Sequence, residues 1–129
     1  MFKLVIMENL EYETTFENFK NEVKESLVAK KIDFVEKEDK TGVSYMVSCE
    51  KKKGYEVRRV DGIDFDSVRF FLRKEDYKYS RDLRINGELY LKGKFCAKSD
   101  FVLYTVDGMT RKVKELKEAN YATSSCRIY

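Results

Sequence analysis

The chain has 129 residues, carries 26 Lys and Arg against 23 Asp and Glu for a net charge of +3 at pH 7, and contains no histidine. Hydrophobic residues make up 43% of it, which excludes a disordered chain and is enough to form the core of one domain spanning residues 1–129. Without histidine, Ser-His-Asp and Cys-His nucleophiles and histidine metal sites are excluded. The sequence indicates no cofactor and no metal.

The cysteines and the apolar segments indicate where the protein works. Cys49, Cys96 and Cys126 are far apart and form no CxxC pair, so we expect free thiols in a reducing cytoplasm rather than a disulfide framework. The apolar start, Met1–Met7, is too short for a signal peptide, and no stretch approaches the ~20 apolar residues of a membrane span. We therefore predict a cytoplasmic protein without membrane association.

The first third of the chain predicts a strand and then a helix. Phe2, Leu4 and Ile6 alternate as they would in a strand. Thr14 and Glu17 have the spacing of a capping box, which predicts that a helix begins there. Its apolar residues recur on one side, which predicts an inner face consisting of Phe16, Phe19, Val23 and Leu27.

Three strands are predicted next, over residues 32–38, 43–49 and 55–60, with glycine-containing turns at residues 39–42 and 51–54. In the second of these strands, alternation predicts a core face formed by Val43, Tyr45, Val47 and Cys49.

The back half is also predicted to be rich in strands. Asn86-Gly87 is the strongest hairpin signal, because a type I′ turn requires positive φ at both central residues. It predicts strands 81–85 and 88–94 that share one face, formed by Arg81, Leu83, Ile85, Glu88, Tyr90 and Lys92.

The end of the chain is predicted to hold a strand at residues 101–106 and a second helix that follows Asp107-Gly108. The inner face of this helix consists of Met109, Val113 and Leu116, and a short final strand is predicted within residues 121–129. The fold class is α+β: a mainly antiparallel sheet with two α-helices, one near each end.

Charge is distributed unevenly along the chain. Residues 1–50 contain seven Lys against eleven acidic residues, a net charge of −4, whereas residues 51–129 contain nineteen basic against twelve acidic residues, a net of +7. All eight arginines follow residue 57. Because arginine pairs with carboxylate or phosphate through two hydrogen bonds and stacks on aromatic rings, this distribution indicates an anionic partner.

The segment from Asp66 to Arg84 is the main candidate for binding that partner. Its first part fits a helix or a strand, but Arg69 and Arg73 are four residues apart and share a face in either case. In a strand, Phe71 lies between them. Basic side chains beside exposed aromatics suit single-stranded nucleic acid, although the aromatics also fit a core with a solvated charged face. The predicted binding residues are Arg69, Arg73, Lys74, Tyr77, Tyr79, Arg81 and Arg84.

Acidic residues suggest two further hypotheses. Glu17, Glu22 and Glu25 form an acidic surface on the first helix, which could mimic a nucleic-acid backbone. Asp64 and Asp66 would point the same way on a strand, beside Asp61, and paired carboxylates hold Mg²⁺.

A resemblance to a known family involves the predicted turn at residues 51–54, which contains three lysines. Glu50-Lys51-Lys52 follows the predicted strands, with Asp39 upstream, and this order loosely resembles that of PD-(D/E)xK nucleases, although no Pro-Asp pair is present. The resemblance implies a Mg²⁺-dependent nuclease, with acids as metal ligands and a lysine that assists the attacking water.

Taken together, these patterns favour a small non-catalytic binding protein. We predict an accessory or inhibitor protein, of a phage type, that docks on a protein or nucleoprotein partner in nucleic-acid processing. The alternatives are binding of RNA or single-stranded DNA through residues 69–84, and a Mg²⁺-dependent nuclease.

Overall fold

The structure, a computed structural model, describes the backbone of residues 2–49, 56–79, 83–96, 99–119 and 121–123, and the side chains of residues 15–49, 57–77, 83–96 and 99–119. Within these ranges there are three helices, α1 (Phe2–Ala29), α2 (Lys74–Tyr79) and α3 (Val106–Lys117). The strands of the same ranges are β1 (Val35–Glu38), β2 (Gly42–Ser48), β3 (Glu56–Val60), β4 (Ile63–Phe65), β5 (Ser67–Arg73), β6 (Ile85–Leu91), β7 (Lys94–Phe95), β8 (Phe101–Leu103) and β9 (Tyr121–Thr123).

The strands form two antiparallel sheets. The main sheet has the order β1-β2-β5-β6-β7, with β8 also paired to β6, and the smaller sheet has the order β4-β3-β9. The predicted α+β class is confirmed, with a helix near each end; the short α2 was not predicted. No helix of the described ranges is both long enough and apolar enough to cross a membrane.

Helices α1 and α3 bury one face of the main sheet, which we call the inner face. The predicted inner residues of α1 are all buried, and so are the three of α3. Thr105 caps α3, since its Oγ1 accepts a hydrogen bond of 2.9 Å from the amide of Gly108. Opposite the helices lie the buried residues of the sheet: Val43, Tyr45 and Val47 of β2, Val68, Phe70 and Leu72 of β5, and Ile85 and Leu89 of β6.

Several predicted strands are confirmed, with shifts of a few residues at their ends. Strands β1, β2 and β3 fall within or beside the predicted ranges 32–38, 43–49 and 55–60, and Val43, Tyr45, Val47 and Cys49 form a buried face as expected. Strand β8 covers only the first part of 101–106, because α3 already begins at Val106. Strand β9 lies in the predicted tail, whereas the predicted turn at residues 51–54 lies outside the described residues.

The predicted start of the chain is wrong. Helix α1 runs from Phe2 to Ala29, so Phe2–Ile6 is not a strand and Thr14 and Glu17 do not mark a helix start. Alternation over three apolar residues also fits a helix, and no Gly or Pro precedes Gly42 to interrupt it. Two residues after the end of α1, Lys31 has a positive φ of 57°, and the amide of Ile32 donates to the carbonyl of Leu27 at 2.9 Å. This conformation terminates the helix.

The predicted hairpin turn at Asn86-Gly87 is also wrong, since both residues lie inside β6. Gly87 is required there for a different reason: a Cβ atom at this position would lie 2.2 Å from the Phe101 ring. Within the described residues, the two-residue turns with positive φ are Asp61-Gly62 (49° and 78°), between β3 and β4, and Lys92-Gly93 (52° and 77°), between β6 and β7.

Because the turn lies further along the chain, the predicted common face of residues 81–92 is wrong as well. Ile85 is buried against the helices, whereas Glu88 and Tyr90 are only half-buried on the opposite side of β6. Alternation along a single strand accounts for this separation.

Candidate interaction surface

The face of the main sheet that points away from the helices contains a groove of about 1220 Å³. Strands β1, β2, β5 and β6 supply its floor, and the turn between β1 and β2 closes one end. We call this surface the groove face. Its outward-pointing side chains are Val35, Lys37, Ser44, Met46, Arg69, Phe71, Arg73, Glu88 and Tyr90.

Strand β5 runs through the middle of the groove face, which resolves the open choice for residues 66–75 in favour of a strand up to Arg73. Phe71 lies between Arg69 and Arg73, whose guanidinium carbons are 4.4 Å and 5.2 Å from the centre of its ring. Cation–π attraction holds both guanidinium groups over the ring. The two arginines therefore share a face, as their spacing predicts; their role in binding stays a prediction.

Cross-strand pairing places further side chains beside this row. Met46 and Glu88 flank Arg69, and Ser44 and Asn86 flank Phe71. Arg69 donates to Glu88 at 2.8 Å, with both side chains partly exposed. Directly opposed residues of neighbouring strands point to the same side, so the central part of the groove combines aliphatic, aromatic and paired charged groups.

Basic side chains without an ion pair gather where the groove meets the β1–β2 turn. Within the described side chains, Lys37, Lys40 and Arg73 are exposed and have no acidic partner. Lys74 follows on α2 and is half-buried, with its Nζ 5.6 Å from the centre of the Phe16 ring. Arg73 and Lys74 thus lie beside the groove, as does Glu75.

Tyr77 is not a surface residue, which corrects its predicted place in the binding segment. It lies in α2, is only 7% exposed and packs edge-to-face on Phe16 at 5.4 Å between ring centres. Its hydroxyl donates to the carbonyl of Arg84 at 2.8 Å. The segment turns into a helix after Arg73, so Tyr77 rotates inward instead of continuing the exposed row.

The remaining predicted residues of this segment are Tyr79, Arg81 and Arg84. The side chains of Tyr79 and Arg81 lie outside the described residues. Arg84 is half-buried, and its Nε has no hydrogen-bond partner among the described residues. Of the predicted residues whose side chains are described, Arg69, Arg73 and Lys74 line the groove.

The predicted acidic surface lies on the outer side of α1, where Glu17, Glu22 and Glu25 are exposed. Glu17 forms an ion pair with Lys20 at 2.8 Å, and Lys20 also forms an ion pair with Glu38 of β1 at 3.0 Å. The hydrogen bond to Glu17 raises the pKa of Lys20. Desolvation by burial lowers it by a smaller amount, so the pKa remains raised. The lysine thus ties α1 to β1, and partner binding by the acidic surface stays a prediction.

The carboxylates of the nuclease hypothesis have separate partners. Asp64 is buried and accepts from Arg59 at 2.7 Å, while Asp66 accepts from the amide of Lys92 at 2.9 Å. Asp39 is held inside its own turn by Thr41, whose hydroxyl is the main cause of a lowered pKa at this carboxyl group. Glu50 lies outside the described residues, and those residues contain no cluster of three His, Cys, Asp or Glu side chains suited to a metal ion.

The cysteines of the described ranges, Cys49 and Cys96, are free thiols. Burial raises the pKa of Cys49 to about 11, and burial also raises the pKa of Cys96. Both shifts disfavour the thiolate, which is the nucleophilic form.

Sequence reasoning missed Val35, Lys37, Met46, Glu88 and Tyr90 as members of the groove face. Alternation along β2 identified its core face. The residues between the core positions, Ser44 and Met46, therefore belong to the opposite face, and this inference was available from the sequence. Their neighbours on β1 and β6 follow only from strand order and register, which a single sequence does not specify.

No protein-family model, curated protein or solved structure matches the chain.

Proposed function

We propose that this protein is a non-catalytic binding domain, an accessory or inhibitor protein that docks on a protein or nucleoprotein partner through the groove face. One observation carries the proposal: among the described residues, helices cover one face of the main sheet and leave the other uncovered. The other face keeps Met46, Phe71 and Tyr90 half-buried along a groove. Apolar surface of this kind, bordered by charged groups, marks an interaction site.

The composition of the groove face supports a protein partner. Phenylalanine, tyrosine, methionine and arginine are the residue types enriched at the centre of protein interfaces. The acids of α1 provide a second charged surface, which suits a nucleoprotein partner that itself presents both signs. We expect binding to take place in the cytoplasm, a compartment in which free thiols such as Cys49 persist.

A site-specific photo-cross-linker tests this function. The cross-linking residue replaces Ser44 in the groove of one variant, and Lys114 on the exposed side of α3 in a matched control. We expect capture of a partner in the native cell from position 44 alone. The captured protein is then purified, and its affinity for the wild type is compared with that for Phe71→Ala. Equal capture from both positions, or unchanged affinity of Phe71→Ala, contradicts the proposal.

Binding of single-stranded RNA or DNA is the second candidate, because the Arg69–Phe71–Arg73 row combines guanidinium groups with an aromatic ring on an open sheet. Fluorescence anisotropy with labelled RNA and DNA at two salt concentrations tests it. Salt-sensitive binding at roughly 10 μM protein, the range of non-specific nucleic-acid affinity, supports this candidate. Absence of such binding excludes it.

A further inference from the structure

We infer that the groove face binds an acidic segment of the partner protein in one orientation, with carboxylates at the β1–β2 turn and an apolar side chain at the opposite end. This inference rests on the proposed function, and it adds the chemistry and the direction of the bound segment. Three features of the groove carry it: an excess of unpaired cations at one end, a neutral apolar surface at the other, and an aromatic ring that is already covered.

The basic end consists of Lys37, Lys40 and Arg73. Arg73 pairs with Gly42 across β5 and β2, which places it beside the turn that carries Lys40, and Lys37 pairs with Ser44 one row further along. The one acid within this turn, Asp39, accepts hydrogen bonds of 2.6–3.2 Å from Thr41 and Gly42. Lys74 and Glu75, which follow Arg73 and also line the groove, carry opposite charges. Lys37, Lys40 and Arg73 therefore remain in excess over Asp39, whose carboxylate is already hydrogen-bonded, and an incoming carboxylate has charge-assisted donors available.

The apolar end consists of Val35, Met46 and Tyr90. Val35 and Met46 are directly paired across β1 and β2, and Val35 remains 60% exposed. The charges beside them, Arg69 and Glu88, are paired with each other and nearly cancel. Burial of a partner's apolar side chain at this end is therefore favourable, and Arg69 and Glu88 leave no uncompensated charge there.

The spacing of the two ends fits a short peptide. Arg73 pairs with Gly42, and Tyr90 pairs with Ser67, which itself pairs with Ser48; these two outermost residues of the groove are thus separated by the length of β2. At about 3.4 Å per residue this length is roughly 20 Å, or about six residues of an extended segment. The groove volume of about 1220 Å³ exceeds the range of about 300–1,000 Å³ that is typical of small-molecule pockets.

A peptide explains the groove better than a nucleic acid does. The Phe71 ring is already contacted by the guanidinium groups of Arg69 and Arg73, so a base can stack on it only after displacing one of them. A continuous phosphate backbone would also place phosphates over the apolar end, where Glu88 already compensates Arg69 and the groove offers no unpaired cation among the described side chains. A peptide can present carboxylates at one end only, and so avoids both costs.

Three short synthetic peptides of equal length test the inference. The first carries Glu at one end and Leu and Phe at the other, and its two twins replace every Glu by Gln or by Lys. Fluorescence anisotropy is measured at low and high salt. We expect the Glu peptide to bind about tenfold more tightly than the Gln twin at low salt, equivalent to about 1.4 kcal/mol, and this advantage to shrink at high salt. Arg73→Glu and Lys40→Glu should remove it, while Lys114→Glu on α3 should preserve it.

The orientation has its own measurement. A spin label at the Glu end should broaden the NMR signals of the β1–β2 turn, and a label at the apolar end should broaden those of Val35 and Met46. The reverse pattern overturns the inference, and so does equal affinity for the Glu and Gln peptides or the absence of binding by both.

The inference and the proposed function can fail separately. If the cross-linked partner requires Phe71 but binds Arg73→Glu as well as wild type, the acidic segment is wrong and the docking function stands. If no partner depends on Phe71, the docking function is wrong. Tighter binding of labelled oligo(U) than of the Glu peptide, with the same loss in Arg73→Glu, transfers the site to nucleic acid and overturns the inference.

Discussion

The guanidinium carbon of Arg69 lies 4.4 Å from the centre of the Phe71 ring, while the same guanidinium donates to Glu88 at 2.8 Å. Arg69 is thus held between a ring and a carboxylate, and its charge is largely compensated. Arg73 also covers Phe71 but has no acidic partner among the described residues. The two arginines therefore differ in role: Arg69 supports the floor of the groove, and Arg73 is available to an anionic partner.

Phe70 and Phe71 are neighbours in sequence on opposite faces of β5, which permits a matched comparison. Phe70→Ala should lower the free energy of unfolding by about 3–5 kcal/mol, because it leaves a cavity in the core. Phe71→Ala should lower it by only about 1 kcal/mol, through lost cation–π contacts, while abolishing partner binding. Urea unfolding followed by circular dichroism measures both. A loss of stability in Phe71→Ala as large as that in Phe70→Ala would show that the groove face is core.

Glu88→Gln should strengthen binding of an acidic segment. The substitution removes the carboxylate that compensates Arg69, so the charge of the groove rises by one unit, at a cost in stability of about 0.2–1 kcal/mol. We expect a few-fold gain in affinity for the Glu peptide at low salt and no gain for the Gln peptide. Glu118→Gln, the same charge change at the end of α3, is the control. An equal gain in both variants would point to net charge rather than the groove.

The elements that the sequence predicted well are those in which periodicity extends over several turns or several alternations. The apolar residues from Phe16 to Leu27 repeat over three helical turns, and the buried residues from Val43 to Cys49 occupy four alternating positions, so a helix and a strand are well distinguished. Phe2 to Ile6 offer only three alternating apolar positions, too few to distinguish a strand from the helix that the chain forms there.

The site was predicted only in part, for a related reason. Arg69 and Arg73 share a face under either secondary structure, so their juxtaposition survived an uncertain assignment. Tyr77 depended on the chain continuing straight, and α2 turned it inward. Asn86-Gly87 is a strong local signal, but here Gly87 accommodates the Phe101 ring, a contact with a residue fourteen positions away that local rules do not include.

Gly87→Ala tests that contact. The new methyl group would lie 2.2 Å from Phe101, whose ring packs edge-to-face on Phe70 at 6.2 Å and so has little room to move. We expect a loss of about 1–3 kcal/mol in the free energy of unfolding, with part of it recovered by the second change Phe101→Leu. Gly93→Asn, in an open turn with φ 77°, should cost less than about 1 kcal/mol, because asparagine tolerates positive φ. If the stability losses of Gly87→Ala and Phe101→Leu were strictly additive in the double variant, steric conflict between the new methyl group and the Phe101 ring would be excluded.

Stability should fall as the solution becomes alkaline, first through Cys49. Burial raises the pKa of this thiol from 9.0 in the unfolded chain to about 11 in the folded one, so the folded state retains a proton that the unfolded state releases. A group with a raised pKa contributes its full stability below pH 9.0 and loses it between pH 9 and 11, here about 2–3 kcal/mol in total.

Burial also raises the pKa values of Tyr45 and Tyr77, which extends the decline above pH 10. The window from pH 9 to 10 therefore isolates the thiols from the tyrosines, and within it Cys96, whose pKa is also raised by burial, contributes beside Cys49. Urea unfolding under reducing conditions should give a shallower decline for Cys49→Ala than for the wild type across this window. Val47→Ala, which truncates the same core face without removing an ionisable group, should be less stable by a constant amount at every pH. Parallel declines for the wild type and Cys49→Ala would assign the alkaline sensitivity to other groups.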